Sequence, residues 1–316
     1  MRLALALTAG VAAATGMATG VAAQEVAREP AQAVTDDADD ALFLAANVEW
    51  VLDHEMAHAL IDAFDLPVLG QEEDAADSFA SASVSARHPE PEAARRLALV
   101  AELWFLEAER TDEAERTGAG DGPDYFAEHD LDIQRGFRVL CVANGADPAV
   151  AEAALDFVDV PDGGFDGCEV DRDLATESWD VLIGPNTLYD DEPPADVSVE
   201  YGPAGGLEVE RAALEATGAM EALAEEAAGT YALFDPLVIA GRACGEPDAF
   251  FDPEAGEIVV CYEFVGDIVA LRAASLAAEV SGDAEPDGAT NDATDGTSDA
   301  ATDAVPGGTA DEGVPR

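Results

Sequence analysis

The sequence predicts an α+β fold, a mainly helical body followed by a small sheet supplied by the C-terminal half. Three observations carry this expectation. Ala41 to Phe64 is dense in apolar residues, free of Pro and Gly, and long enough for a buried helix. Further stretches with helical spacing follow as far as Phe157. The pattern then changes: Val197-Ser198-Val199-Glu200-Tyr201 alternates at period two, and Leu237–Ala243 and Glu257–Phe264 are apolar, β-branched runs.

Taken in order, Met1 to Ala23 has a charged start, an apolar run and a small-residue end at Val21-Ala22-Ala23, which reads as a secretory signal. Gln24 to Asp40 has little apolar bulk and reads as a disordered leader. The folded domain is expected over 41–275. Its first helix, Ala41–Phe64, is stopped by Leu66-Pro67 and Gly70. A second, Glu72–Ala86, begins with acids that suit a positive helix N-terminus. A third spans Pro91–Glu109, with Leu97, Val100, Leu103 and Trp104 as its stripe. After a Gly/Asp loop at Thr117–Asp124, Tyr125–Asn144 reads as helix capped by Gly145, and Pro148–Phe157 as a short helix. Pro161–Gly167 is a turn-rich loop leading to Cys168. Val197–Tyr201 and Leu207–Glu210 alternate on either side of the Gly202–Gly206 turn and suggest a hairpin. Arg211–Ala228 and Asp267–Val280 read as helices. The stretch 281–316 lacks periodicity and reads as a disordered acidic tail. Beyond the signal, no segment is apolar for long enough to span a bilayer.

The 316 residues carry 14 basic against 68 acidic side chains, and every basic one is Arg. A net charge of −54 repels phosphates, so nucleic acid is excluded as an expected partner. The acids are spread along the chain, which fits a hydrated surface suited to salty surroundings better than one dedicated cation-binding patch. The four cysteines, Cys141, Cys168, Cys244 and Cys261, are an even set in a chain expected to be exported, which suggests two disulfides. Pairing neighbours is simplest, although three pairings are open. No short Cys-x-x-Cys spacing points to a cysteine zinc site.

Chemistry concentrates in Asn47–Ala80. His54-Glu55-Met56-Ala57-His58 places two histidines one helical turn apart, so both imidazoles can meet one ion. Catalytic zinc takes three protein ligands and a water, and a nearby carboxylate accepts that water's proton. Glu55 is placed for that role. The flanks of the motif are strongly apolar, and burying two histidines and a glutamate without a partner would be costly. A shared ion removes that cost. Glu73 and Asp77, one turn apart near the start of the second helix, can both face the site, with Glu72 as the other candidate ligand.

In these residues the chain resembles the gluzincin zinc peptidases such as thermolysin and neprilysin. The resemblance implies zinc bound by His54, His58 and Glu73, with Asp77 supporting a ligand histidine. The linker between the helices is shorter than in thermolysin. It is closer to a bacterial metallopeptidase-like family of otherwise unknown function, with the pattern HExGHxLIDxxxLPVLGxEEDAAD. The present chain reads HEMAHALIDAFDLPVLGQEEDAAD and departs at Ala57, a small residue in place of Gly. The resemblance continues through Glu128–Arg135, Cys141, Ala146-Asp147-Pro148, Cys168, Ser178-Trp179-Asp180, Cys244–Pro253 and Cys261-Tyr262-Glu263. Pro247–Val260 is similar to the substrate-binding edge strand of neprilysin-like enzymes. Asp248 stands where that pattern has Asn, and Ala249 follows. Here the segment comes after the zinc helix, which implies a permuted gluzincin arrangement. A plain hairpin turn clamped by Cys244–Cys261 would use the same residues.

An electrophile for the oxyanion is expected as well. His129 is the first candidate, with Tyr262 and Arg135 behind it. His88 lies in a polar loop away from the motif, and Trp50, Trp104 and Trp179 suit a core. The expected function is an exported zinc metallopeptidase acting on a peptide or protein substrate, with Glu55 as general base. The alternative is a non-catalytic zinc-containing binding or chaperone-like module.

Overall fold

The computed structural model describes residues 38–282, apart from 121, 122, 124, 154–157, 159, 190 and 191. The expected signal, most of the leader and nearly all of the tail lie outside the described residues. The elements run α1 (Ala38–Phe64), α2 (Glu72–Arg87), α3 (Glu90–Thr117), α4 (Asp132–Ala146), α5 (Pro148–Ala153), α6 (Cys168–Ile183), β1 (Val197–Tyr201), α7 (Glu208–Thr217), α8 (Ala219–Thr230), β2 (Leu237–Arg242), β3 (Ala249–Asp252), β4 (Glu257–Cys261) and α9 (Tyr262–Gly282). The protein is mainly helical with one four-stranded sheet, an α+β fold as expected.

Helix α1 is the axis of the molecule because it is apolar on nearly every side. Phe43, Leu44, Val48, Leu52, Met56 and Leu60 face the larger core, shared with α2, α6–α9 and one face of the sheet. Ala46 and Trp50 face a second core built with α2, α3 and α4. A helix hydrophobic all round is a buried helix. Polar groups on it are therefore also removed from water, and Asn47, Asp53, His54 and Glu55 are all buried. Asp65 adopts a left-handed φ of 49° at the end of α1, and Gly70 has φ 110° just before α2. The second value suits only glycine, and this turn brings α2 back along α1.

The sheet order is β1-β2-β4-β3. β1 pairs with β2, and β2 with β4, in parallel. β3 runs antiparallel to β4, with Phe251 opposite Ile258, and forms one edge of the sheet. The disulfides are Cys141–Cys168 and Cys244–Cys261, the neighbour pairing. The first ties α4 to α6. The second closes the β3–β4 hairpin, so the clamped hairpin and the edge strand are the same object. No helix among the described residues is long and apolar enough to cross a membrane.

Several expected boundaries are corrected. Helix α1 begins at Ala38, inside the expected leader, and α9 reaches Gly282, inside the expected tail. The expected helix from Tyr125 starts only at Asp132; Tyr125 and Phe126 are exposed and lie in turns. That helix also runs past Gly145 to Ala146. Leu207–Glu210 is not a strand but the start of α7, where Glu208 and Glu210 favour the helix N-terminus. Arg211–Ala228 is two helices, broken at Gly218 with φ 65°. Cys168–Ile183, expected to lie beyond a loop with no helix assigned, is α6. Phe264 belongs to α9 rather than to a strand.

Candidate metal centre

Helix α1 presents His54 and His58 on one face, and α2 brings Glu73 and Asp77 against them. The two Nε2 atoms are 3.2 Å apart. Glu73 Oε2 lies 3.0 Å from His54 Nε2 and 3.3 Å from His58 Nε2. The opposite edges of both rings are held by carboxylates: His54 Nδ1 is 2.8 Å from Asp77 Oδ1, and His58 Nδ1 is 2.9 Å from Glu72 Oε1. A carboxylate accepts but does not donate, so both histidines carry a proton on Nδ1. A neutral imidazole then points its Nε2 lone pair inward. Two such lone pairs and a carboxylate oxygen converge on one point, an arrangement that repels itself unless positive charge sits there.

The spacing suits a metal ion. Zinc ligands at about 2.1 Å in tetrahedral array are about 3.4 Å apart, close to the distances here. The donor atoms of His54, Glu73 and His129 also lie within 4.8 Å of one another, a set that could hold a metal. His129 stands in the turns before α4, with its Nε2 2.8 Å from Glu73 Oε2 and its ring stacked on His54.

Electrostatics agree with the geometry. Burial opposes charge on His54, but Asp77 and Glu73 outweigh it and raise its pKa. Burial works against His58 as well, yet Glu73 and Glu72 push it up to about 9. For Glu73 burial acts upward, and the imidazoles of His129, His54 and His58 hold it far below the usual carboxylate range. Asp77 is likewise lowered: burial would raise it, but His54 and Arg135 prevail. The carboxylates thus build a pocket for positive charge, supplied by protons or by a cation.

Glu55 sits beside these groups and is 7% exposed. Burial pushes its carboxyl up to about 7, against the lowering effect of His54 and His58. It also accepts a hydrogen bond from the backbone N–H of Phe251 in β3, which brings the edge strand to the motif. Cys261 N–H donates to the Asp248 carbonyl at 3.0 Å, and Ala249 N–H to Asp248 Oδ1 at 2.9 Å. Asp248 therefore points its side chain back at the strand's own backbone.

Of the three electrophile candidates, only His129 reaches the site. The Tyr262 hydroxyl donates to the Gly202 carbonyl at 3.0 Å and the residue is fully buried. Arg135 clasps Asp77 with two bonds of 2.8 Å and lies over the Trp104 ring, 3.7 Å from its centroid. Arg135 and Glu72 are the supporting residues whose roles the sequence did not disclose. Glu72 was expected only as an alternative ligand, and the pairing of Arg135 with Asp77 joins residues 58 positions apart. His88 instead pairs with Glu49 at 2.7 Å, away from the centre. Trp50 and Trp179 are buried as expected.

Fold and site together define a helical protein built around a buried His-Glu-x-x-His helix and a facing acidic helix. Residues 17–183 and 206–295 match a family described as "Putative metallopeptidase", and the chain belongs to that family. Neither the curated proteins nor the solved structures contain a match.

Proposed function

We propose that this chain is an exported, zinc-dependent peptidase of gluzincin-like type. The observation that carries the reading is the convergence of the His54 and His58 Nε2 atoms on Glu73 Oε2, with both Nδ1 atoms fixed by carboxylates. His54, His58 and Glu73 would hold the ion, Asp77 and Glu72 would orient the imidazoles, and Arg135 would hold Asp77. Zinc bound there supplies Lewis acidity and lowers the pKa of a water. The Glu55 carboxylate takes the proton of the attacking water and later delivers it to the leaving amine. Edge strand β3 would hold an extended peptide by adding it to the sheet, with Ala249 as its main-chain contact. Asp248 Oδ1 holds the Ala249 N–H, so the Ala249 carbonyl would be the group that accepts from the peptide. Of the oxyanion candidates only His129 is near enough to serve. The sheet edge following the zinc helix in sequence supports a permuted arrangement. Two disulfides and the charged, signal-like N-terminus favour an exported location.

The second reading, a non-catalytic zinc module, is favoured by one contact, that of His129 with Glu73. Two substitutions test the assignments: the first tests the zinc ligand, which both readings share, and the second tests catalysis, because a non-catalytic module would cleave no peptide in its native form either. Glu73→Ala is expected to lose or weaken zinc, measured by elemental analysis after dialysis. Glu55→Gln is expected to keep one zinc per chain and to lose peptide cleavage. Full zinc retention in the first variant would remove the ligand assignment, and unchanged cleavage in the second would remove the base.

A further inference from the structure

We propose that His129 is a fourth metal donor, which closes the resting site with protein side chains. The inference rests on the zinc reading above and extends it. His129 Nε2 lies 2.8 Å from the oxygen of Glu73 that also faces His54 and His58. Its ring stacks on His54 at an interplanar angle of 18° with centroids 5.9 Å apart. With donor atoms of His54 and Glu73 it forms a set within 4.8 Å. An ordinary ion pair between His129 and Glu73 explains the single contact less well. One carboxylate oxygen facing three imidazole nitrogens needs three protons, or one cation shared by all.

Zinc with four protein donors is a closed site, whereas catalytic zinc keeps a position open. His129 is the donor placed to leave. Its side chain is 44% exposed, against 5% for His54, 14% for His58 and 19% for Glu73. It comes from turns rather than from a helix, and it borders a cavity of about 330 Å³ lined also by Ala108, Thr111, Leu131 and Ile133. That space can take a rotated imidazole. Substrate or water would then take the position that His129 leaves, the freed imidazole would stay beside the site where it could donate to the oxyanion, and at rest the protein would hold zinc more tightly than an open three-donor site allows.

The test is X-ray absorption at the zinc edge on the zinc-loaded full chain, with His129→Ala alongside. Three imidazoles are expected in the native protein, and two plus an additional oxygen donor in the variant. Zinc affinity, read by competition with a chromophoric chelator, is expected to fall about tenfold or more, since loss of even outer supporting groups costs 10–100-fold. Circular dichroism checks that the variant folds, and the native count decides independently of it. Two imidazoles in native protein that does bind zinc would overturn this inference alone. Native protein that binds no zinc would overturn the zinc reading and this one with it.

Discussion

At the scale of single residues, Glu55 is where burial and chemistry meet. In the metal-free protein its carboxyl is raised from the ordinary 4.5 to about 7, first because it is buried and further because Glu73 lies nearby. The folded state therefore holds a proton that the unfolded chain releases between about pH 4.5 and 7. Extra protons on the folded state make stability fall as pH rises. The contribution of Glu55 is thus close to nil near pH 4.5 and grows into a penalty that is complete above pH 7, at most about 3 kcal/mol for a shift of this size. Metal-free Glu55→Gln should match the native protein near pH 4.5 and exceed it in stability at pH 8, as read by urea unfolding. Equal stabilities at pH 8 would mean that the folded protein ionises Glu55 freely. Gln keeps an oxygen to accept the Phe251 N–H, so the contact itself is not what the comparison measures.

Among the elements, β3 is the one whose role depends on its restraints. The Cys244–Cys261 bridge fixes the chain just before β3 to the end of β4, and Glu263 accepts from the Cys244 and Gly245 N–H groups at 3.0 and 2.8 Å. Closing a loop of this length contributes about 3 kcal/mol through the unfolded state. Replacing both cysteines by Ser should lower the melting temperature and raise KM for peptides, with zinc retained because the proposed ligands lie elsewhere. Removing Cys141–Cys168 should lower stability similarly and leave KM nearly unchanged. Equal KM effects from the two bridges would deny β3 its proposed part in binding. The elements also show what sequence pattern can carry. His54, His58, Glu73 and Asp77 were legible because i, i+4 spacing is local geometry on two adjacent helices. The grip of Arg135 on Asp77 and the approach of Phe251 to Glu55 arise only when distant segments pack, and no local period records them. Helix α6 was missed because Val170, Leu174 and Val181 are exposed while Cys168, Trp179 and Ile183 are buried, so its apolar residues form no single stripe. Leu207–Glu210 was misread because four residues cannot separate a period of 2 from one of 3.6.

For the whole molecule, charge is the dominant long-range force. Several arginines are each shared between two or three acids. Arg87 serves Glu49, Asp53 and Glu226, Arg110 serves Glu107 and Asp267, and Arg138 serves Asp74 and Asp130. Such sharing uses up the few arginines and leaves a net charge of −54 to repel itself. Repulsion disfavours the compact state, and salt weakens it. The Debye length falls from about 30 Å at 0.01 M to about 3 Å at 1 M, from the size of the domain to the size of one contact. Salt also weakens exposed ion pairs, but these contribute little individually, so relief of repulsion wins. The melting temperature should therefore rise by several degrees between about 0.01 and 1 M NaCl. Choline chloride should give the same gain if screening is the cause, because its cation is too large and too weakly coordinating to occupy a carboxylate site. A gain confined to sodium would assign the effect to specific cation binding, and a fall with either salt would mean that the arginine clusters outweigh the field of the whole molecule.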